Sequence, residues 1–400
     1  MTSFKPGFLF SKSMDKRAFA GLMIIETMLA FANTFAGSFN VVYLFKKMDL
    51  ELWAGPVYLM IGFAIATLVS LWMSWKPHLD PRNVMLAGLM FLMAEYACFL
   101  LFKDGWLISF SVGVMFGLWY PLFWTPFKIL MAQMTGKGDR GVTYGAFFFV
   151  WPLVTFFAPF LGGLVIGWIN YQALFALGIV IVLLTAVFVV AYRKYIPKDQ
   201  MMKIRLSELG PRNIIAVLGE GGFEGVFWIG VTLVAYEFTQ DELDLGILFS
   251  LFGLSAGIMA IILGKVSDRI QNRRLFAAVS AIASIPCVLM ISLSSNLNEY
   301  ALANGLLEFA SFIMPVFIFA ILTDKWEEAK NDSVLTREFL LDIGRTTTLA
   351  LFLVVLYLGF TPRQGFLLAI PFLVMAAFAF EAKTRPTKLV AKARHADHVG

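Results

Sequence analysis

The sequence predicts an all-α polytopic membrane protein with twelve transmembrane helices arranged as two six-helix bundles. The first observation is composition, since 59% of the 400 residues are hydrophobic and only 15% are charged, unlike a soluble globular domain. The second is a series of apolar runs, each long enough to cross about 30 Å of hydrocarbon as a helix. The third is a long polar segment near the middle of the chain, which separates two sets of these runs.

The apolar runs are assigned as spans 1 to 12 in chain order. Their predicted ranges are 18–45, 52–75, 84–102, 106–131, 142–168, 172–192, 212–238, 244–263, 275–292, 297–322, 336–359 and 364–381. The first run is longer than the core of a signal peptide, which has roughly 7–15 residues. We therefore expect it to remain in the membrane as a tilted span.

The central polar segment, 193–212, predicts the domain organisation. It contains two clusters of basic residues and the pair Gly210-Pro211, and it lacks an apolar run that is long enough to cross a membrane. The predicted domains are a first bundle at 1–192, a cytoplasmic linker at 193–211, a second bundle at 212–382 and a cytoplasmic tail at 383–400.

The lysines and arginines predict the orientation. Most of the 32 lie in the loops and termini of one side, whereas Lys46, Lys47, Lys103 and Arg363 lie on the other. Because cytoplasmic loops carry the excess of positive charge, both termini are predicted to be cytoplasmic, with the protein in the cell membrane. The charges lie between apolar runs, so the basic balance does not indicate nucleic-acid binding.

The cysteines and histidines exclude several kinds of site. Cys98 and Cys287 lie in different predicted spans and offer no disulfide framework. His78, His395 and His398 lie in a loop and the tail, so an intramembrane metal cage is not expected. The sequence also lacks a nucleotide-binding loop. We expect no metal, no cofactor and no enzymatic activity.

The two halves show an internal repeat. Arg17 and Glu26 open span 1, and Arg212 and Glu220 open span 7 at a similar separation. A glycine pair with the same spacing follows in the next span of each half. Repeats of the same orientation predict a pseudo-twofold axis along the membrane normal and a central site between the halves.

The loop between spans 8 and 9 has a recognisable motif. Residues 264–274 read GKVSDRIQNRR. This segment resembles the cytoplasmic-loop signature of the major facilitator superfamily, G-x-(L/V)-(S/A)-D-R-x-G-R-(R/K), with one extra residue and Asn272 in place of glycine. The resemblance implies the superfamily fold and a gating role for Asp268, Arg269 and Arg273. The alternative is a basic loop that only sets topology.

Span 5 has a second resemblance, to drug–proton antiporters of the same superfamily. Gly145 and the run APFLGG at 158–163 look like the G…G-P-x-x-G-G motif of those antiporters. The resemblance implies efflux in exchange for protons. The alternative is a helix-packing face formed by Pro159, Gly162, Gly163 and Gly167.

Ionisable residues within the spans are the candidates for chemistry, because each costs at least ~2.5–3.5 kcal/mol at mid-span unless it is paired or neutralised. The acids are Glu26, Glu95, Glu220, Glu224, Glu308 and Asp342, and the bases are Lys128 and Arg345. Glu220 and Glu224 are one helical turn apart, so we expect one of them to hold a proton at neutral pH. They are the predicted proton-coupling pair. The alternative is a pair of protonated glutamates that bond to neighbouring helices.

Spans 1, 4 and 7 contain the predicted solute-binding residues. A polar stripe recurs every seven residues in span 1, and aromatic residues recur in spans 4 and 7. The predicted solute-binding residues are Glu26, Asn33, Trp119, Trp124 and Trp228. Interhelical hydrogen bonding is the alternative for the stripe, and packing is the alternative for each ring.

Two further acids and one ion pair complete the prediction. Asp342 and Arg345 are expected to pair near the cytoplasmic end of span 11, as a gate or as a structural contact. Glu95 is assigned to the scaffold, because the resemblance implies an outer position for span 3. Glu308 on span 10 has no predicted role.

Because acids outnumber bases within the spans, the predicted solute is small, amphipathic and either neutral or cationic. We predict proton-coupled secondary active transport by alternating access, in the direction of efflux. The alternatives are proton-coupled uptake of a small nutrient and a non-transporting receptor or scaffold. The expected partners are the solute, protons and the lipid bilayer, with no nucleic acid, and the protein is expected to be a monomer.

Overall fold

The computed structural model describes residues 16–76, 78–134, 140–266, 272–326 and 329–378. Within these ranges the chain is helical, apart from loops and one isolated bridge between Leu79 and Gln200. Eleven helices there are long and apolar enough to span a membrane, and a shorter apolar stretch, Pro362–Ala377, follows them. The prediction of an all-α polytopic membrane protein is confirmed.

The helices match the predicted spans in order. Spans 1 to 6 consist of Lys16–Phe35 with Asn40–Lys46, Ala54–Trp75, Pro81–Leu101, Gly105–Met134, Arg140–Thr155 with Ala158–Trp168, and Tyr171–Tyr192. Spans 7 to 12 consist of Pro211–Phe238, Glu242–Val266, Arg273–Leu293, Leu297–Ser311 with Ile313–Lys325, Lys330–Tyr357, and Pro362–Gly365 with Ala369–Phe378. The division of the chain into two domains at the linker stays a prediction.

Polar side chains cap several spans where they begin. The Asp80 carboxyl accepts from the Arg82 backbone N–H at 3.0 Å before span 3, and the Asn170 side chain accepts from Ala173 N–H at 2.8 Å before span 6. These contacts satisfy backbone donors that the first helical turn leaves free. Hydrogen bonds from the Arg82 side chain lower the pKa of Asp80, which keeps this cap ionised at neutral pH.

Four spans that were predicted as continuous are interrupted. Span 1 changes to a 3-10 turn at Gly37–Phe39, span 5 breaks between Thr155 and Ala158, span 10 breaks at Phe312, and span 12 changes to a 3-10 turn at Phe366–Leu368. Proline explains two of these breaks. Pro159 and Pro315 have no N–H to donate to the carbonyls four residues earlier, so the helical ladder is interrupted just before each of them.

Contacts between spans 5 and 8 join the two halves at close range. A Cβ on Gly163 would lie 2.6 Å from the Glu242 carbonyl oxygen, and a Cβ on Gly246 would lie 2.6 Å from that of Pro159. Gly162 makes a similarly close approach to the Phe35 backbone. The packing role predicted for Gly167 is wrong, because a Cβ there would meet open space. Spans 2 and 11 form a second contact between the halves.

The linker lies across one end of the helices and bonds to both halves. The backbone N–H of Lys203 donates to Asp332 at 2.7 Å in span 11, and that of Ile204 donates to Ser74 at 3.0 Å in span 2. The Arg205 guanidinium also pairs with Asp332 at 2.6 Å. We call this the linker end, and the other the opposite end.

Candidate functional site

A cavity of about 310 Å³ is lined by side chains from spans 1 to 5, 7, 8 and 10. It therefore lies between the first six spans and the last six. Its volume is at the lower end of the range of about 300–1,000 Å³ that is usual for small-molecule sites. Four predicted solute-binding residues line it together, namely Asn33, Trp119, Trp124 and Trp228. Their contact with a solute stays a prediction.

Glu26 does not line the cavity. It is 2% exposed, and one of its carboxyl oxygens, Oε2, is buried without a hydrogen-bond partner among the described residues. It lies seven residues before Asn33, which is about 10 Å of helix, whereas the cavity borders span 1 only at residues 33–41. The structure therefore does not support a solute-binding role for Glu26.

Glu95 forms part of the cavity wall instead of an outer scaffold. Its Oε1 accepts hydrogen bonds from Asn40 Nδ2 at 2.8 Å and from the Tyr58 hydroxyl at 3.2 Å, and its Oε2 accepts from Trp119 Nε1 at 2.5 Å. All four residues line the cavity. Because three donors from spans 1, 2 and 4 meet at one carboxyl, Glu95 holds this wall together.

Replacing Glu95 is expected to lower thermal stability. Glu95→Leu removes the acceptor that three buried donors share, and each donor left unpaired costs about 1–3 kcal/mol. Glu95→Gln keeps one acceptor oxygen, so we expect an intermediate effect. The measurement is the midpoint of thermal unfolding in detergent, for which the expected order is wild type, then Gln, then Leu. A Leu variant as stable as the wild type would contradict this role.

Glu308 faces the cavity without a protein partner. Its half-buried carboxyl makes no hydrogen bond or ion pair with any part of the chain that the structure describes. Two amide atoms on the cavity wall are also unpaired among the described residues: Asn33 Nδ2 and Asn40 Oδ1. The cavity lining therefore includes one carboxyl without a protein partner and two residues that each have an unpaired amide atom.

Seven ionisable residues form a second group, which we call the charged cluster. They are Lys128, Glu220, Glu224, Arg337, Glu338, Asp342 and Arg345. Glu338 lies 2.7 Å from Lys128 and 2.9 Å from Arg337, which also contacts Glu220. Arg345 Nη1 donates to Asp342 at 2.7 Å, which confirms the predicted pair, and its Nε donates to Glu224 at 2.9 Å.

The arrangement of Glu220 and Glu224 differs from the prediction. Each carboxyl pairs with a different arginine of span 11, Glu220 with Arg337 and Glu224 with Arg345. The two glutamates are therefore not an isolated pair that shares one proton. Their charges are instead balanced by cations that the neighbouring span supplies.

Arg337 is a site residue that sequence reasoning missed. It lies at the edge of predicted span 11 (336–359) and was counted with the basic residues of the loops, but the helix begins at Lys330, and Arg337 is 4% exposed. The first turns of this helix are polar, so hydropathy does not distinguish them from a loop. The signal that was available is helical spacing, since Arg337, Glu338, Asp342 and Arg345 recur at intervals that share one side of a helix.

Glycines bring spans 7 and 11 close enough for these ion pairs. A Cβ on Gly225 would lie 2.8 Å from the Arg345 carbonyl oxygen, and a Cβ on Gly344 would lie 2.6 Å from that of Leu218. Small residues at such positions allow two helix backbones to approach. The acids of span 7 therefore lie directly beside the arginines of span 11.

Aromatic rings connect the charged cluster to the cavity. The Arg345 guanidinium carbon lies 5.5 Å from the ring centroid of Tyr120 and 5.5 Å from that of Trp228. Both rings line the cavity, whereas Arg345 does not. Along span 7 the cluster residues precede the cavity residues, so the cluster lies nearer the linker end. A change in the ion pairs of Arg345 therefore acts directly on two rings of the cavity wall.

Polar contacts join the halves at both ends of the cavity. At the linker end, spans 4 and 11 are joined by the Lys128–Glu338 pair and by Gln133, whose side chain donates to Asn331 at 3.0 Å. At the opposite end, Lys46 of span 1 pairs with Glu242 of span 8 at 2.7 Å. The Tyr171 hydroxyl of span 6 also donates to Glu242 at 3.1 Å.

The predicted gating residues are placed unevenly. Asp268 and Arg269 lie outside the described residues, so their gating role stays a prediction. Arg273 is the first residue of span 9 and is half-buried. Asp342 and Arg345 belong to the charged cluster.

Sequence comparison does not identify this chain: no protein-family profile matches it, and no curated protein sequence matches it significantly. Structure comparison does find similar folds. The crystal structure of the human organic anion transporter MFSD10 (TETRAN) matches with a TM-score of 0.64 at 15% identity, over 92% of this chain and 99% of that one.

Two structures of POT family transporters match to a similar degree. One is in complex with a thioalcohol-conjugated peptide and has a TM-score of 0.65 at 12% identity, over 94% of this chain and 96% of that one. The other is in complex with 5-aminolevulinic acid and has a TM-score of 0.62 at 12% identity, over 90% and 94%. All three matches extend over nearly the whole chain. This chain therefore has the fold of the major facilitator superfamily transporters.

Proposed function

We propose that this protein is a proton-coupled secondary active transporter, which moves a small neutral or cationic amphipathic solute by alternating access. The observation that carries the proposal is a cavity between the halves with polar contacts between those halves at each end. A fold that is shared with transporters supports it. A receptor or scaffold does not need contacts that close both ends of a solute-sized cavity.

The contacts at the two ends fit the requirements of alternating access. To release a solute at the linker end, the protein must separate Lys128 from Glu338, and at the opposite end it must separate Lys46 from Glu242. Each pair joins an element of the first half to one of the second, so each breaks when the halves part at that end. Opening one end at a time exposes the cavity to one side of the membrane at a time.

The charged cluster supports proton coupling. Its four carboxyls outnumber its three basic groups, so with all seven ionised it has one unbalanced negative charge. An unbalanced charge is costly in a buried site, and binding one proton removes it. We assign this proton to Glu220 or Glu224. Glu224 pairs with Arg345, and the Arg345 guanidinium contacts the Tyr120 and Trp228 rings of the cavity wall.

The solute class follows from the cavity lining. Glu95 and Glu308 line the cavity, and the lining residues that the structure describes include no lysine or arginine. The human neighbour is described as an organic anion transporter, but an organic anion here would face two carboxyls without a basic group. A neutral or cationic solute fits this lining better.

The direction of transport and the orientation are also part of the proposal. The pattern in span 5 favours efflux, and the distribution of basic residues favours cytoplasmic termini in the cell membrane. Proton-coupled uptake of a small nutrient uses the same cavity and the same cluster. The two functions differ only in the sign of the pH gradient that drives accumulation on a given side.

Transport by the purified protein tests the proposal. Proteoliposomes of known protein orientation are given a pH gradient of either sign and a panel of radiolabelled solutes that are cationic, neutral or anionic. We expect at least one cationic or neutral solute to accumulate against its gradient when the pH gradient has the sign that drives efflux. Accumulation under a pH gradient of the opposite sign indicates uptake. Transport rates no higher than in protein-free vesicles would reject transport.

A further inference from the structure

We infer that the cavity binds a monovalent organic cation with an aromatic or alkyl group, and that Glu308 is its counter-ion. This inference rests on the proposed transport function and narrows the solute to one charge class. It assigns a role to Glu308, for which the sequence predicted none.

The first argument is the difference between the two carboxyls of the cavity. Glu95 is engaged by hydrogen bonds from Asn40, Tyr58 and Trp119, all of them neutral donors. Glu308 has no such bond within the described part of the chain and is open to the cavity. A charge in this position costs free energy unless something pairs with it. A solute bound in the cavity lies close enough to Glu308 to pair with its charge.

The second argument is the aromatic lining. Ring faces carry partial negative charge and attract cations to within about 6 Å of the centroid. Two of the lining rings, Tyr120 and Trp228, already have a guanidinium within this distance. Further rings of Trp119, Trp124 and Trp151 also line the cavity, so an ammonium group has aromatic neighbours as well as a carboxyl.

The third argument is an acceptor that has no donor. Asn40 is 3% exposed, and its Nδ2 donates to Glu95, which orients the amide. Asn40 belongs to the cavity lining, and its Oδ1 is buried without a partner among the described residues. The partial negative charge on this oxygen favours a cationic group in the cavity over a carboxylate or phosphate group.

The fourth argument is size. A volume of about 310 Å³ accommodates a single charged head and one hydrophobic group. Since Glu95 is already engaged, one carboxyl remains for the ligand, which matches a charge of plus one.

Binding of three matched probes tests this inference on the purified full-length protein. The probes are phenyltrimethylammonium, its uncharged isostere tert-butylbenzene and the anion benzenesulfonate. Binding in lipid nanodiscs is followed by tryptophan fluorescence, because four of the lining residues are tryptophans. We expect the cation to bind at least roughly tenfold more tightly than either of the other probes. Equal binding of the cation and its neutral isostere would overturn the inference without any variant.

A substitution then tests the counter-ion. Glu308→Gln preserves size and removes the charge, so we expect it to weaken binding of phenyltrimethylammonium roughly ten- to hundredfold and to leave binding of the neutral isostere unchanged. The matched control is Glu299→Gln, which makes the same change at an exposed position of the same span. Unchanged cation affinity in Glu308→Gln would reject Glu308 as the counter-ion.

The outcome for binding is separate from the outcome for transport. If the cation binds with the expected preference but no solute moves in proteoliposomes, the inference stands and the transport proposal fails. If a neutral or anionic solute is transported and the cation does not bind, the transport proposal stands and this inference fails.

Discussion

Glu220→Gln and Glu224→Gln are each expected to abolish pH-driven accumulation of the solute while exchange down a solute gradient continues. Either change leaves the charged cluster with three carboxyls and three basic groups, so the cluster is permanently neutral. Glutamine still accepts a hydrogen bond from the partner arginine but does not carry an exchangeable proton. A carrier that cannot change its proton occupancy cannot use a pH gradient.

The measurement compares two assays on the same proteoliposomes: uptake driven by an imposed pH gradient and exchange driven by solute alone. We expect the first to fall to the level of protein-free vesicles and the second to stay within a few-fold of the wild type. The matched control is Glu237→Gln, which removes an ion-paired carboxyl from the same span, since Glu237 pairs with Arg363 at 2.9 Å outside the cluster. If both cluster variants keep full pH-driven uptake, the proton site is wrong, and Asp342 and Glu308 become the next candidates.

Fixing the two halves together at the linker end is expected to stop transport completely. The side chains of Gln133 and Asn331 bond at 3.0 Å between spans 4 and 11. Cysteines at both positions, joined by a short bifunctional thiol reagent, hold this end closed. Because alternating access requires the end to open in every cycle, we expect solute flux to fall to background and to return when a cleavable crosslink is reduced.

Native Cys98 and Cys287 are buried and free, and they are replaced by alanine before this experiment. The controls are the two single-cysteine proteins treated with the same reagent. A second pair at Lys46 and Glu242 tests the opposite end in the same way. If transport is unchanged after complete crosslinking at one end, the transport cycle does not require that end to open.

The features that follow from local periodicity were predictable from the sequence. Hydropathy over about twenty residues located the spans, because a helix of that length is what crosses the hydrocarbon. Helical spacing and aromatic content identified Asn33, Trp119, Trp124 and Trp228, which the structure places around one cavity. The Asp342–Arg345 pair was predictable because residues three apart are neighbours on a helix.

The features that depend on contacts between distant segments were not predictable in this way. Glu95 joins side chains from three other spans, and its position in span 3 does not reveal that they converge. Arg337 was left out of the candidate site because polar residues that pack against the linker and span 7 lower the hydropathy where span 11 begins. Glu26 was placed correctly in the membrane, but the extent of the cavity along span 1 depends on how the other spans surround it.

The linker has a consequence for the temperature dependence of the cycle. Residues 203–205 are bonded to Ser74 of span 2 and to Asp332 and Thr336 of span 11, so parting these spans must detach the linker from at least one of them. Each residue released in this way regains backbone freedom worth about 1–2 kcal/mol at 25 °C, which offsets part of the hydrogen bonding that is lost. Opening of the linker end is thus opposed by enthalpy and favoured by entropy, and warming is expected to increase the fraction of molecules that are open at this end.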